Sequence, residues 1–189
     1  MEQPSDRDLM LALARGDREA LSPLMERHHR RLYRLALSYL RDPDEALEVV
    51  QETFVKAYIA APRWNDRSEV GSWLTRIGIN QAIDRYRRSR RRRRSEEPLE
   101  DGAVDHDRRY SAPGASPERA VLGREVGERI AGALRALPER QRAVFVLRHY
   151  DDMSLEEIAR TLDVSLGTVK SSLHRAIHRL RERLQGLWA

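Results

Sequence analysis

The sequence contains no cysteine, and this absence excludes disulfide bonds, thiolate-bound metals and cysteine nucleophiles. Aromatic residues are few, with three Trp, six Tyr and two Phe among 189 residues, which argues against a large β-sandwich. No apolar run approaches the roughly 18 residues of a membrane span, and the N-terminus is charged from Glu2 onward. We therefore expect neither membrane insertion nor a signal peptide, and a cytoplasmic location.

Enzyme motifs are also missing. The chain has no HExxH motif and no glycine-rich phosphate loop. His28 and His29 are adjacent, so they point about 100° apart on a helix, and no third ligand is spaced to join them. Asp151 and Asp152 are typical of a turn and a cap. We therefore expect no catalytic residue, no metal and no cofactor.

Lysine is nearly absent, since Lys56 and Lys170 are the only two, yet the formal net charge is +5. Arginine supplies almost all of the positive charge, and its planar fork suits bidentate contacts to phosphate and guanine. Charged residues make up 34% of the chain and apolar residues 40%, which suits a helical protein of one or two small domains.

The stretch 154–184 has the pattern of two helices joined by a tight turn. Ser154 and Glu157 form a capping box, and Ser165 can cap the second helix. The second helix has an apolar stripe of Val169, Leu173, Ala176 and Leu180, and its opposite side carries Lys170, Ser171, His174, Arg175 and His178. Such a helix fits a DNA major groove, and Gly167 and Thr168 near its start leave backbone N–H groups free for a phosphate. A helical hairpin with a solvated charged face has the same spacing.

An acidic stripe lies on an earlier predicted helix, which begins with Asp42 as the cap and Pro43 in the first position. Its apolar face is predicted to bury Leu47, Val50, Phe54 and Ala57. Another face carries Glu45, Glu48 and Glu52, with Gln51 beside them. Most such stripes are solvated, but on a basic protein this one equally fits a dock for a basic protein partner.

Aromatic and arginine residues are combined in the next segment. Residues 60–72 are rich in turn-forming residues and predict a loop that encloses Trp64, and residues 73–88 predict a helix. Arg76, Asn80 and Arg87 fall within about 40° of one another on its polar face. Eight arginines lie between Arg85 and Arg94. Aromatic side chains stack on unpaired bases, and neighbouring cations bind the phosphate backbone of the same strand. The combination therefore favours binding of a single-stranded nucleic acid, either DNA or RNA.

Residues 95–117 are acidic, contain proline and glycine and have no apolar period, so they predict a linker. Apolar periodicity resumes from Glu118 to Leu137 and again from Glu139 to His149. We therefore predict an all-α protein of two small helical domains, residues 1–94 and 118–189, joined by a flexible acidic linker.

Three stretches of the chain resemble the extracytoplasmic-function sigma factors of bacterial RNA polymerase. DEALEVVQETFVKAY at 44–58 is similar to the family helix that grips the polymerase clamp. WLTRIGINQAIDRYRR at 73–88 is similar to the helix beside the −10 element. The stretch at 137–176 is similar to the domain that reads the −35 element. Asp163 stands where the family often has glycine, and aspartate tolerates the left-handed conformation that this turn requires.

The resemblance implies three sets of binding residues. The set for core RNA polymerase is Glu45, Glu48, Gln51, Glu52 and Phe54. The set for the −10 element is Trp64, Asn65, Asp66, Arg67, Ser68, Arg76, Asn80, Arg87 and Arg88. The set for the −35 element is Thr168, Lys170, Ser171, His174 and Arg175. The resemblance also implies an anti-sigma factor as a partner, and the control of a stress or envelope regulon.

The linker bears on how such a factor reaches promoter DNA. Two promoter elements about two helical turns apart lie about 70 Å from each other. The linker spans that distance only when nearly extended, which a polymerase channel enforces and free solution does not. We therefore predict that the isolated protein binds promoters weakly and that core polymerase organises it.

Two other functions remain open at this point. A stand-alone helix-turn-helix regulator would use the same C-terminal motif but would give the acidic stripe no role. This hypothesis predicts that the protein protects DNA in a footprinting assay without polymerase. An RNA-binding protein uses the arginine run and the aromatics, and it predicts RNA binding that survives deletion of residues 118–189.

Overall fold

The structure is a computed structural model that describes residues 3–64, 66, 69–96 and 117–185; for 93–96 and 117–124 it describes the backbone only. Across these ranges the chain forms eight α-helices and no strand, which confirms the all-α prediction. The helices are α1 Asp6–Ala14, α2 Leu21–Leu40, α3 Pro43–Ala60, α4 Val70–Glu96, α5 Pro117–Arg135, α6 Glu139–His149, α7 Leu155–Leu162 and α8 Leu166–Leu184.

The N-terminal helices begin at caps that the sequence only partly revealed. α1 starts two residues before the predicted Asp8, because Ser5 and Asp8 form a capping box. Gly16, with φ at +97°, follows this helix as predicted. Asp17 caps a 3₁₀ turn, Arg18–Ala20, rather than α2 itself.

α3 and α4 form the centre of the N-terminal half. Asp42 caps α3 with Pro43 in the first position, as predicted. α4 is longer than the predicted 73–88 and carries the arginine run as helix. The cluster that holds α1 to α4 together contains Leu9, Met10, Leu13, Leu24, Leu32, Phe54 and Leu74.

The C-terminal half follows the predicted helix-turn-helix. Ser154 and Glu157 form the capping box of α7, and Ser165 caps α8. Asp163 has a left-handed backbone with φ at 53°, the conformation expected from its position in the turn. Val169, Ala176 and Leu180 are buried on one side of α8.

The two halves pack against each other and share one hydrophobic cluster. Its buried members include Leu35, Tyr39, Val49 and Ile79 from the N-terminal half, and Val144, Leu147, Ile158 and Val169 from the C-terminal half. The sequence predicted two folded units and did not determine whether they pack together. Apolar residues on facing helices supply that contact because each half leaves part of its core uncovered on its own.

Arg142 of α6 joins the halves from a fully buried position. Its Nε donates to the Leu134 carbonyl at 3.0 Å, its Nη2 to the Arg135 carbonyl at 2.8 Å, and its Nη1 to the Tyr39 carbonyl at 3.1 Å. Its guanidinium carbon also lies 4.0 Å from the ring centroid of Tyr86. The charge is thus accommodated by carbonyl dipoles and an aromatic face.

Two ion pairs reinforce the contact between the halves. Arg31 of α2 donates to both carboxylate oxygens of Asp151, at 2.6 Å and 2.9 Å, and the Asp151 side chain is 3% exposed. Arg87 of α4 donates to Glu139 at 2.7 Å. Asp151 had been assigned only to a turn, so this role was missed by sequence reasoning.

Candidate nucleic-acid and protein interfaces

α8 presents the predicted −35 side chains on the side away from its buried stripe. Lys170, His174 and Arg175 are exposed, and Thr168 and Ser171 are partly exposed. Because the apolar stripe anchors α8 to α5, α6 and α7, the polar side has a fixed direction. The face combines cations with short hydrogen-bonding side chains, the types that contact phosphates and base edges.

The start of α8 offers fewer free donors than the sequence predicted. The Thr168 backbone N–H donates to the Ser165 hydroxyl at 3.1 Å, and the two hydroxyls lie 2.8 Å apart. The expectation that the Thr168 amide is free for a phosphate is therefore corrected: a serine N-cap normally uses this amide.

α4 carries the second predicted nucleic-acid face. Arg76, Asn80 and Arg87 are exposed on one side of this helix, and Arg88 is exposed about a third of a turn away from Arg76. Arg87 is engaged by Glu139, and this hydrogen bond raises the pKa of its guanidinium. In this arrangement, Arg87 must exchange a carboxylate for any phosphate that it binds.

The loop before α4 is only partly described, since Asn65, Arg67 and Ser68 lie outside the described residues. Trp64 is half-buried against the core of α1 to α4, and its indole Nε1 is buried with no hydrogen-bond partner among the described residues. Asp66 has a left-handed φ of 57° and accepts a 2.7 Å hydrogen bond from the Arg7 Nε. α1 therefore contacts this loop, which the sequence did not predict.

The acidic stripe on α3 surrounds an arginine from α4. Arg85 donates to Glu45 at 3.0 Å and to Glu52 at 2.8 Å, and it also contacts Glu48. Burial acts to lower the pKa of Arg85, but the hydrogen bonds to the three glutamates outweigh it and raise that pKa. Arg85 had been assigned to the nucleic-acid run, and its position against α3 was missed.

The apolar residues of α3 follow the predicted buried face except at Leu47. Phe54 is 3% exposed and lies in the core, as the apolar periodicity predicts, so it supports this helix from within. Leu47, predicted as buried, is 51% exposed, and Val55 and Ile59 are 57% and 69% exposed. Gln51 is exposed as well. The outer surface of α3 thus combines three large apolar side chains with three carboxylates.

A groove of about 820 Å³ brings the two predicted DNA faces together. Asn80 and Arg87 of α4 line one side of this groove, and Thr168, Ser171 and Arg175 of α8 line another. Two promoter elements about 70 Å apart cannot both meet residues that share one groove. This arrangement is therefore not one that contacts both elements at once.

The described ranges contain neither a metal-binding cluster nor a membrane-spanning helix. No group of three or more His, Asp or Glu side chains there is placed to hold a metal ion. None of the helices found in those ranges is both long and apolar enough to cross a membrane.

The fold and its surfaces define a helix-turn-helix DNA-binding protein of all-α architecture. Residues 24–92 match the Sigma-70 region 2 family, and residues 127–180 match the Sigma-70, region 4 family. The first match covers α3 and most of α2 and α4, and the second covers the end of α5, all of α6 and α7, and most of α8.

Relatives along the whole chain make the assignment narrower. The ECF RNA polymerase sigma factor SigW of Bacillus subtilis is 31% identical over 176 residues, which cover 92% of this chain and 93% of SigW. The ECF RNA polymerase sigma factor SigM of Mycobacterium tuberculosis is 36% identical over 180 residues, covering 95% and 85% of the two chains. The chain belongs to the ECF RNA polymerase sigma factors, which are transcription initiation factors.

Solved structures agree with this assignment. The structure of CnrH in complex with the cytosolic domain of CnrY aligns with a TM-score of 0.70 and 27% identity, covering 97% of this chain and 99% of CnrH. The sigma factor RpoE in complex with the anti-sigma factor NepR from Bartonella quintana aligns with a TM-score of 0.60 and 26% identity, covering 82% and 89%. The earlier resemblance is thereby confirmed, and the stand-alone regulator is not favoured.

Proposed function

We propose that this chain binds core RNA polymerase through α3, directs it to −10 and −35 promoter elements, and nucleates promoter melting. The observation that carries the proposal is the separation of surfaces: an acidic and apolar face on α3, and cationic faces on α4 and α8. The RNA-forming chemistry then belongs to the polymerase, and this chain contributes binding alone. We expect it to act in the cytoplasm, where the chromosome lies, on a stress or envelope regulon.

For the −35 element, we assign the reading side to α8. Lys170, His174 and Arg175 are exposed there, with Thr168 and Ser171 beside them. A good bidentate contact to a base edge discriminates by about 1–3 kcal/mol, while phosphate contacts set the register of the helix.

For the −10 element, we assign the loop Trp64–Ser68 and the exposed face of α4, which comprises Arg76, Asn80, Arg87 and Arg88. Opening duplex DNA costs about 1.4 kcal/mol for each stacking step. Capture of one or two unstacked bases offsets the first of these steps, so this half nucleates melting rather than merely binding DNA.

For core polymerase, we assign α3 with Glu45, Glu48, Gln51 and Glu52, and we add its exposed apolar side chains. Carboxylates favour a cationic partner surface, and Leu47, Val55 and Ile59 give that partner apolar area to bury. The family match over this segment supports the assignment.

The proposed organisation keeps residues 1–94 as the polymerase and −10 domain, 95–117 as the linker and 118–189 as the −35 domain. We also propose that an anti-sigma factor binds this chain. The support is the likeness to RpoE, whose solved structure contains the anti-sigma factor NepR.

Run-off transcription on a pool of genomic DNA, with purified core polymerase, tests the function. We expect discrete new transcripts with the wild-type chain, and their loss with Glu52→Arg for core binding or Arg175→Ala for the −35 contact. Glu26→Arg on α2 and Arg183→Ala near the end of α8 are matched controls at exposed positions, and they should leave the transcripts in place.

A silent pool would contradict the proposal. If the isolated chain at the same time retarded duplex DNA, the protein would act as a stand-alone regulator.

A further inference from the structure

Arg85 occupies an unusual position for a residue of an arginine run. Its guanidinium reaches from α4 to α3 and contacts Glu45, Glu48 and Glu52 together, at i, i+3 and i+7 of α3. The Arg85 side chain is 16% exposed, whereas those of the three glutamates are 30%, 59% and 39% exposed. The cation therefore lies behind the carboxylates, and the carboxylates form the outer surface.

This geometry determines what the arginine can do. Three carboxylates on one helix face repel one another, and free glutamate side chains sample many rotamers. A planar guanidinium with several donors holds them together, which the single ammonium of lysine cannot do in the same way. One guanidinium does not neutralise three carboxylates, so the surface remains acidic.

The contacts leave the carboxylates able to bind a partner. Each glutamate uses one oxygen towards Arg85, namely Oε2 of Glu45, Oε2 of Glu48 and Oε1 of Glu52. A carboxylate has a second oxygen with its own lone pairs, so each can accept a further hydrogen bond. Because Arg85 lies behind the more exposed glutamates, it leaves them accessible to an incoming cation.

We propose that Arg85 is a positioning residue for the polymerase-binding face: it holds three glutamates in the arrangement that a cationic surface of core polymerase recognises. The inference rests on the function proposed for α3. Holding these side chains before binding reduces the entropy lost on binding, which is the general advantage of a preorganised surface. Arg85 also ties this face to α4, so the polymerase face and the −10 face share one rigid contact.

The test measures the affinity of the fluorescently labelled full chain for core polymerase by anisotropy. Arg85→Lys retains the positive charge but replaces the planar guanidinium donors with a single ammonium, and we expect it to weaken binding to core polymerase roughly tenfold. Arg85→Gln loses both and should weaken binding at least as much. Arg90→Lys and Arg90→Gln, at an exposed position of the same helix, are the matched controls and should bind as the wild type does. Thermal unfolding of each variant reports whether it is folded.

A second measurement separates positioning from general structural support. In a chain with Glu45→Gln, Glu48→Gln and Glu52→Gln, a positioning arginine has nothing left to position. Adding Arg85→Lys to that chain should then change the affinity for core polymerase by less than about twofold. A tenfold loss in both backgrounds would overturn the inference.

The remaining outcomes are distinct. If wild type and Arg85→Lys bind core polymerase equally, Arg85 is no positioning residue, although the proposed function stands. If Arg85→Gln binds more tightly than wild type, Arg85 merely neutralises the stripe, and the inference is again wrong. If the wild type itself does not bind, the proposed function fails. Should Arg85→Gln not fold, Arg85→Lys decides.

Discussion

At the scale of single residues, the arginines of this protein have different roles that their spacing in the chain does not reveal. Arg142 is fully buried and binds three carbonyls, whereas Arg140, two positions earlier, is exposed. Arg85 binds glutamates, while Arg76 and Arg88 are exposed on the proposed −10 face. An arginine therefore contributes to stability or to binding according to the groups that surround it.

The buried arginine gives a prediction about stability. Arg142→Met keeps the length of the side chain but removes three hydrogen bonds to carbonyls, each with a net worth of about 1 kcal/mol. We expect the full chain to lose about 3 kcal/mol of unfolding free energy in urea denaturation. Arg140→Met, the exposed control, should change that free energy by less than about 0.5 kcal/mol. Equal effects at the two positions would contradict the role of Arg142.

At the scale of elements, hydrogen bonds at the caps determine where a short helix begins. α7 has only eight residues. In its capping box, the side chains of Ser154 and Glu157 each accept a hydrogen bond from the other residue's backbone N–H. The Ser154 backbone N–H donates to Glu157 at 2.7 Å, and the Glu157 N–H donates to the Ser154 hydroxyl at 3.2 Å. The hydrogen bonds from the Ser154 backbone N–H and from its side chain to the Glu157 carboxylate lower the pKa of that carboxyl below its usual value.

The lowered pKa gives a prediction about pH. A carboxyl with a depressed pKa stabilises the folded state fully above its unfolded pKa, and this contribution disappears as the pH falls through the folded pKa. Glu157→Gln should therefore cost about 0.5 kcal/mol of unfolding free energy at pH 7 and progressively less towards pH 3. Urea denaturation at the two pH values measures both costs. Glu26→Gln, which caps no helix, is the control, and a Glu157→Gln cost that persisted at pH 3 would contradict this account.

At the scale of the whole molecule, the packing of the two halves sets limits on DNA binding. One groove of about 820 Å³ is lined by Asn80 and Arg87 from the predicted −10 set and by Thr168, Ser171 and Arg175 from the predicted −35 set. A recognition helix needs its outer side clear to enter a major groove about 12 Å wide. The halves must separate before both elements are contacted. This agrees with the expectation from the linker that the isolated chain binds promoters weakly.

Opening of the molecule can be tested through Arg31. Arg31→Gln leaves the buried Asp151 carboxylate without its ion-pair partner and with only the Thr75 hydroxyl, 3.4 Å away, as a donor. Separation of the halves relieves this cost because water then reaches the carboxylate. We expect the variant to be more open and to bind promoter duplex more tightly than the wild type in the absence of polymerase. Dyes on Lys56→Cys and Glu182→Cys, in a chain with no native cysteine, report the distance between the halves by energy transfer.

The matched control for this experiment is Arg30→Gln, at the exposed neighbour of Arg31. Unchanged energy transfer in Arg31→Gln, with the variant folded, would show that the ion pair does not hold the halves together. Tighter duplex binding without any change in energy transfer would contradict separation of the halves as its cause, and loss of a cation would not explain it either, because cations favour binding to phosphates.

The sequence by itself determined the local architecture. The cap and proline at Asp42–Pro43, the capping box at Ser154 and Glu157, and the apolar stripe of α8 gave the helices and the exposed side of the recognition helix. These features depend on hydrogen bonds and spacing within a few residues, so they can be read without knowledge of what lies across the core. The family resemblance came from the same stretches.

Only the tertiary structure decided how much of the apolar side of α3 is covered and which groups the buried arginines contact. Phe54 is buried and Leu47 exposed because α3 presents only part of its apolar arc to its neighbours. Arg85 meets glutamates, and Arg142 meets carbonyls, because α4 and α6 pass beside groups far away in the chain. Periodicity shows that a helix has an apolar side and charge shows the sign of a surface, but the partner of each side chain depends on contacts between distant residues.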